Sequence, residues 1–194
     1  MNILVSGSLA YDQIMTYPGE FKDHILINES SDLNVSFLVD QMSKQFGGTA
    51  GNIAYSLSLL GQQSTVIASL GKDYSQYLEW LDTKGIQTTT ITVNQSTYTA
   101  TAYISTDIKG NQIAFFYPGS MAHPQEIALT ALNTTDAFAT ISPGNMADMS
   151  KLAEHYKKSQ VPYIFDPGQQ IPALSETDLL AGIKGAFLLI CNSY

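Results

Sequence analysis

Phe46-Gly47-Gly48-Thr49-Ala50-Gly51-Asn52-Ile53-Ala54 is the stretch on which the fold turns. After Gly48, apolar residues fall at Ala50, Ile53, Ala54, Leu57 and Leu60, the spacing of one buried helix face. Gly61 then reads as the C-terminal cap. Consecutive glycines let a backbone approach a bound group closely, and a new helix aims free N–H groups and its positive dipole end at the same point. The stretch reads either as a polar-ligand site or as a tight turn in which glycine permits close packing. No Gly-Lys-Ser/Thr follows, so it is not a Walker A loop, and its spacing is not that of the dinucleotide fingerprint.

Working outward, Ile3 to Gly7 predicts a buried strand, and Asp12 follows in a loop, as a ligand carboxylate or a turn cap. Ile25-Leu26-Ile27 and Asn34 to Val39 predict strands of an insertion between the first strand and the glycines. Thr65 to Leu70 predicts a second core strand, followed by a helix from about Tyr74 to Lys84 with Tyr77, Leu78, Trp80 and Leu81 as its apolar positions. Trp80 is expected in the core rather than as a base-stacking platform. Tyr98 to Ser105 and Gln112 to Tyr117 predict a hairpin turning at 107–111. Its aromatics either face a bound ring or pack the hairpin down. From residue 124, helices near 124–132, 146–158 and 176–183 alternate with strands at 137–141, 162–166 and 187–191. That alternation predicts βαβ crossovers and a mostly parallel sheet.

The chain has 194 residues, a net charge of −8, 44% hydrophobic and 13% charged residues. This suits one compact domain and argues against nucleic acid and anionic membranes as partners. All nine basic residues are Lys, so the guanidinium fork that clamps phosphates is missing. Cys191 is the single cysteine, within an apolar run, and is expected to be a buried, inert thiol. His24, His123 and His155 show no metal-ligand spacing. The start lacks the features of a signal peptide and no run is long enough to span a bilayer, so the cytoplasm is the expected location.

Three motifs in order carry a resemblance: Gly7-Ser8-Leu9-Ala10-Tyr11-Asp12 after a strand, Gly47-Gly48-x-x-x-Asn52-x-Ala54, and Cys191-Asn192-Ser193-Tyr194, which matches the start of an Asn-x-x-Glu motif. The chain resembles the ribokinase-like (PfkB) sugar and nucleoside kinases, nearest to adenosine-kinase-like members. The resemblance implies an α/β fold: a three-layer α/β/α body with a mostly parallel central sheet, and a small β-sheet lid formed by about 14–46 and 97–117. It implies that residues 1–194 are the N-terminal portion of one domain, whose ATP-binding part and catalytic base lie beyond Tyr194. Ser8, Asp12, Gly47, Gly48 and Asn52 would bind the substrate. Asn192 and Asp166 would help order the cofactor site, although Asp166 before Pro167 also reads as a cap. ATP and Mg2+, with a monovalent ion as a further candidate, are the implied cofactors, and no residue of this chain is a direct metal ligand. The implied activity is ATP-dependent phosphorylation of the primary hydroxyl of a nucleoside or free sugar, with a silent sugar- or nucleoside-binding homologue as the alternative. A homodimer joined through the lid is among the assemblies implied.

Overall fold

The computed structural model describes residues 1–25, 34–126 and 128–191. Strands β1 (Asn2–Ser6), β4 (Ser64–Ile67), β9 (Ala137–Ile141), β10 (Tyr163–Phe165) and β11 (Leu188–Leu189) form a five-stranded sheet in the order β11-β10-β9-β1-β4, and every pair in it is parallel. The alternation of side chains along β1 and β4 divides the core in two. Leu4 and Ile67 face one way, onto Met149, Leu152 and Tyr156 of α3 (Met146–Lys158) and Leu179 and Ile183 of α4 (Glu176–Ile183). Val5 and Val66 face the other way, onto Ala50 and Ala54 of α1 (Thr49–Leu59) and Tyr77 and Leu81 of α2 (Ser75–Thr83). Helices on both faces of a parallel sheet give the expected three layers.

A second sheet stands on this body. Strands β2 (Ala10–Thr16), β3 (Gln41–Gly47), β7 (Ala100–Thr106) and β8 (Gln112–Tyr117) pair in the order β3-β2-β7-β8. Only β2 and β7 run parallel; the hairpin of β7 and β8 turns where the sequence predicts it. Elsewhere the expectations need correction. Asp12 lies inside β2 rather than in a loop, because β1 ends at Ser6 and the chain re-enters extended structure at Ala10. The strand expected at 34–39 is irregular, and the pairing falls on β3 instead; Leu26 and Ile27 lie outside the described residues. The strand expected over 65–70 breaks at Ala68 into β4 and β5 (Ser69–Gly71), the latter pairing with β6 (Thr92–Asn94) in a separate ribbon. Among the described residues, the helix expected near 124–132 is reduced to a 3-10 turn at Leu129–Ala131.

Cys191 is exposed, not buried. It follows the edge strand β11, where Leu188, Leu189 and Ile190 are also open, at 47%, 41% and 47%. The apolar run therefore marks a sheet edge that is partly open among the described residues.

The far end of the small sheet has its own anchor. Asp107 is nearly fully buried and accepts hydrogen bonds from the amides of Phe21, Lys109 and Asn111 and from the Asn111 side chain, at 2.8–3.1 Å. Phe21 stacks on Tyr17 and meets Phe37 edge-on, at 5.3 and 5.0 Å between ring centres. Burial opposes ionisation of Asp107, but these hydrogen bonds outweigh it and lower its pKa to about 2. A carboxyl lowered in this way adds stability that is complete above its unfolded value and is lost as pH falls towards the folded one. Thermal melts taken from about pH 5 down to about pH 2 should therefore show a steeper fall in midpoint for the wild type than for Asp107→Asn. Equal slopes would mean that Asp107 does not hold the tip of the sheet. In the main core, Leu152 is 1% exposed. Leu152→Ala is expected to cost about 2–5 kcal/mol in denaturant unfolding.

Candidate functional site

At the carboxyl ends of β1 and β9, three segments meet. The Ser8 hydroxyl accepts the Thr49 amide at 2.9 Å, and the Ser8 amide donates to the Thr49 hydroxyl at 3.0 Å. The Thr49 hydroxyl donates to the Pro143 carbonyl at 2.8 Å. The Ser8 side chain thus satisfies an orphan amide in the first turn of α1, where the dipole also favours an acceptor.

A cavity of about 430 Å3 opens beside this junction, lined by Ser8, Asp12, Gly48, Thr49 and Asn52 and by Ala102, Phe116, Met121, Gln169 and Gln170 among others. Of the substrate-site residues predicted from sequence, Ser8, Asp12, Gly48 and Asn52 line it. Gly47 does not line it but sits directly behind Asp12.

The three glycines of the opening stretch have three different reasons to be glycine. A Cβ on Gly47 would run into the Asp12 carboxylate. Gly48 has φ +86°, a left-handed conformation that glycine adopts without strain, and a Cβ there would lie 2.7 Å from the Ala10 amide nitrogen. A Cβ on Gly51 would strike the Tyr77 hydroxyl. The close-packing reading thus holds at Gly47 and Gly51, while Gly48 is the glycine that meets the cavity.

The small sheet supplies the opposite wall. Asp12 is paired with Ala102, and Ala102 with Phe116, so these three side chains form one transverse row on one face. Ala102 is small, which leaves room above the middle of the row. Burial raises the Asp12 pKa above the ordinary carboxylate value. Phe116 is 54% exposed and looks into the cavity, whereas Phe115 points to the outer face and is 69% exposed. Trp80 packs on Phe46 at 4.9 Å between ring centres, as the core reading predicts.

Sequence reasoning missed Ala102, Met121, Gln169 and Gln170. Gln170 sits in the 3-10 turn Gly168–Gln170, and its side-chain amide donates to the Gly144 carbonyl at 2.9 Å, which fixes its orientation at the cavity.

Of the two residues predicted for the cofactor site, Asp166 is not in this cavity. Asp166 follows β10 and lines a separate apolar hollow of about 330 Å3 with Ile3, Ile53, Leu57, Phe138, Ile164 and Ile190. Burial raises its pKa, and the Gly168 amide offsets part of that rise, in keeping with a cap. Asn192 lies outside the described residues. Among the described residues no three His, Cys, Asp or Glu side chains come together as a metal set, and no helix is long and apolar enough to cross a membrane.

Known proteins share this architecture. The nucleoside kinase of Methanothermobacter thermautotrophicus is 26% identical over 196 residues, covering 100% of this chain and 60% of that protein. The Burkholderia thailandensis nucleoside kinase, solved in complex with inosine, is 38% identical with a TM-score of 0.80, over 96% of this chain and 59% of that one. The Methanocaldococcus jannaschii nucleoside kinase, an archaeal member of the ribokinase family, has a TM-score of 0.80 at 26% identity, over 97% of this chain and 60% of that one. This chain therefore spans about 60% of the length of these relatives. From Gly7 to Tyr194 it matches the pfkB family of carbohydrate kinases, and it belongs to that family.

Proposed function

We propose that this chain is the nucleoside-binding part of an ATP-dependent kinase that phosphorylates the primary 5′-hydroxyl of a nucleoside of the adenosine or inosine kind. The observation that carries the reading is the row Asp12–Ala102–Phe116. Two strand spacings, about 10 Å, separate its ends. That is the reach of a ribose with its base, not of a ribose alone. The Asp12 carboxylate accepts hydrogen bonds from ribose hydroxyls, and Asn52 and the Gly48 amide add contacts on the same side. Ala102 leaves space for the base, Phe116 offers it a stacking face, and Gln170 presents an amide edge.

The phosphate-donor side is a separate matter. We assign ATP, Mg2+ and any activating monovalent ion to that side; among the described residues no three His, Cys, Asp or Glu side chains come together as a metal set. The base that takes the hydroxyl proton and the groups that hold the triphosphate are assigned to polypeptide beyond Tyr194, corresponding to the part of the relatives that this chain does not span. The open apolar hollow over β9, β10 and Ile190 is where that part would pack. The small sheet acts as the lid, and its outer face, with Met42, Tyr103 and Phe115 exposed, is where a second copy would pair. We place the reaction in the cytoplasm, consistent with the acidic charge and the single cysteine.

Thermal unfolding with adenosine, inosine or ribose added tests the substrate class. A nucleoside at 100 times its dissociation constant is expected to add about 2.7 kcal/mol of stability. Phe116→Ala should weaken nucleoside binding by about 1–3 kcal/mol and leave ribose unaffected. If ribose stabilises the wild type as strongly as adenosine, the base has no role and the free-sugar reading replaces this one.

Asp12→Asn should separate stability from binding. With its folded pKa raised by burial, the Asp12 carboxyl binds its proton more readily in the folded state, so it favours folding at low pH and opposes it above its folded pKa. At neutral pH, Asp12→Asn is therefore expected to raise the unfolding midpoint while nucleoside affinity falls at least about tenfold. In the wild type, calorimetric affinity should decline as pH drops through the raised Asp12 value, at higher pH than an exposed carboxylate would allow. Affinity that is flat across that range would remove Asp12 from the site.

A further inference from the structure

Tyr77 counts, from the sequence, as one apolar position of α2. Its ring is fully buried, yet its hydroxyl donates to the Gly47 carbonyl at 2.5 Å. A carbonyl can only accept, so the phenol must be the donor. Burial, then the nearby Asp12 charge and then Tyr11 push its pKa well above the ordinary value, so it keeps its proton at any working pH. The ring has no freedom to swing away. Tyr11, Phe46 and Trp80 surround it at 5.5, 5.2 and 5.7 Å between ring centres, and the Trp80 contact is at 90°. On the helix side, the space for the hydroxyl exists because residue 51 is glycine.

In a trans peptide the carbonyl and the amide of one unit point in opposite directions. The Gly47 carbonyl is turned inward to Tyr77, so the Gly48 amide of that same unit is turned outward, to the side on which Gly48 lines the cavity. We infer that Tyr77 is a positioning residue for substrate binding: its hydroxyl locks the plane of the Gly47–Gly48 peptide, and so aims the Gly48 amide beside the Asp12 carboxylate. Gly47 touches both ends of this arrangement, with Tyr77 on its carbonyl and Asp12 against its α-carbon. Tyr77 never meets the ligand. It acts through backbone that two glycines would otherwise leave free to rotate. Gly51 is the matching part, since any side chain there would displace the hydroxyl.

The inference rests on the nucleoside-site reading for its ligand but not for its geometry, and the test separates the two. Tyr77→Phe removes one oxygen and keeps the ring packing; Gly51→Ala leaves Tyr77 itself unchanged but sets a Cβ against its hydroxyl. In ligand-free protein, each variant should shift and broaden the Gly48 amide resonance in a 15N–1H spectrum. By calorimetry at 25 °C, each should bind adenosine about tenfold more weakly. With 2′,3′-dideoxyadenosine, which lacks the hydroxyls that Asp12 and Gly48 would read, wild type and variants should bind alike. A merely structural Tyr77 would lower the unfolding midpoint and weaken both ligands equally, which would overturn the inference. A Gly48 resonance unmoved in both variants would overturn it whatever binds. A Gly48 shift in a protein whose wild type binds no nucleoside would uphold the lock and remove the nucleoside reading instead.

Discussion

Two hydroxyls, those of Ser8 and Thr49, tie three segments of the molecule together beside the cavity. A parallel sheet ends in carbonyls and amides that no neighbouring strand satisfies, and a helix begins with amides that nothing inside it can satisfy. Here the two deficits meet. Ser8 and Thr49 exchange hydrogen bonds, the Ala50 amide donates to the Ser8 carbonyl at 3.0 Å, and the Pro143 carbonyl takes both the Ser8 amide and the Thr49 hydroxyl. The ends of β1 and β9 and the start of α1 therefore share one knot. One wall of the cavity hangs from it: Asn52 from the helix, Asp12 from the strand that leaves Ser8, and Gln170 through Gly144 beside Pro143.

The cost of the knot is that Ser8 is largely committed before any ligand arrives. A hydroxyl that accepts a helix amide and exchanges with a second hydroxyl has little capacity left. Asp12 and Asn52 are cavity-lining polar side chains outside this knot. Asp12 is held in a strand rather than a loop, which costs it solvation and raises its pKa, but places it in register with Ala102 and Phe116. Preorganisation and desolvation arise here from the same placement.

The face of the large sheet that carries α1 and α2 is covered only in part among the described residues. α1 and α2 cover β1 and β4, while Phe138, Ile164 and Ile190 over β9 to β11 line an apolar hollow with Asp166 at its edge. Apolar area of this kind gains free energy when removed from water. Cys191, next to Ile190 of this hollow, is exposed: an apolar run in the sequence does not by itself say that the strand's end is buried.

By itself, the sequence determined the rhythm of the body. The 3.6 spacing after Gly48, the cap at Gly61 and the β/α alternation after residue 137 set α1, α2, α3, α4 and the parallel strands, because these signals are local and each element's buried face is written in its own residues. The family resemblance rested on short motifs of the same local kind. Only the tertiary structure decided the register of the small sheet, the break at Ala68, the arrival of Ala102 and Gln170 at the cavity, and the meaning of Tyr77. Those depend on contacts across tens of residues: an alanine is no signal until it is paired with Asp12, and a tyrosine in an apolar stripe looks like core until its hydroxyl is seen on the Gly47 carbonyl. The three glycines show the division within one stretch. Their presence announced a close approach, but which group approaches each of them was settled by chain from β2, from the turn at Ser8 and from α2.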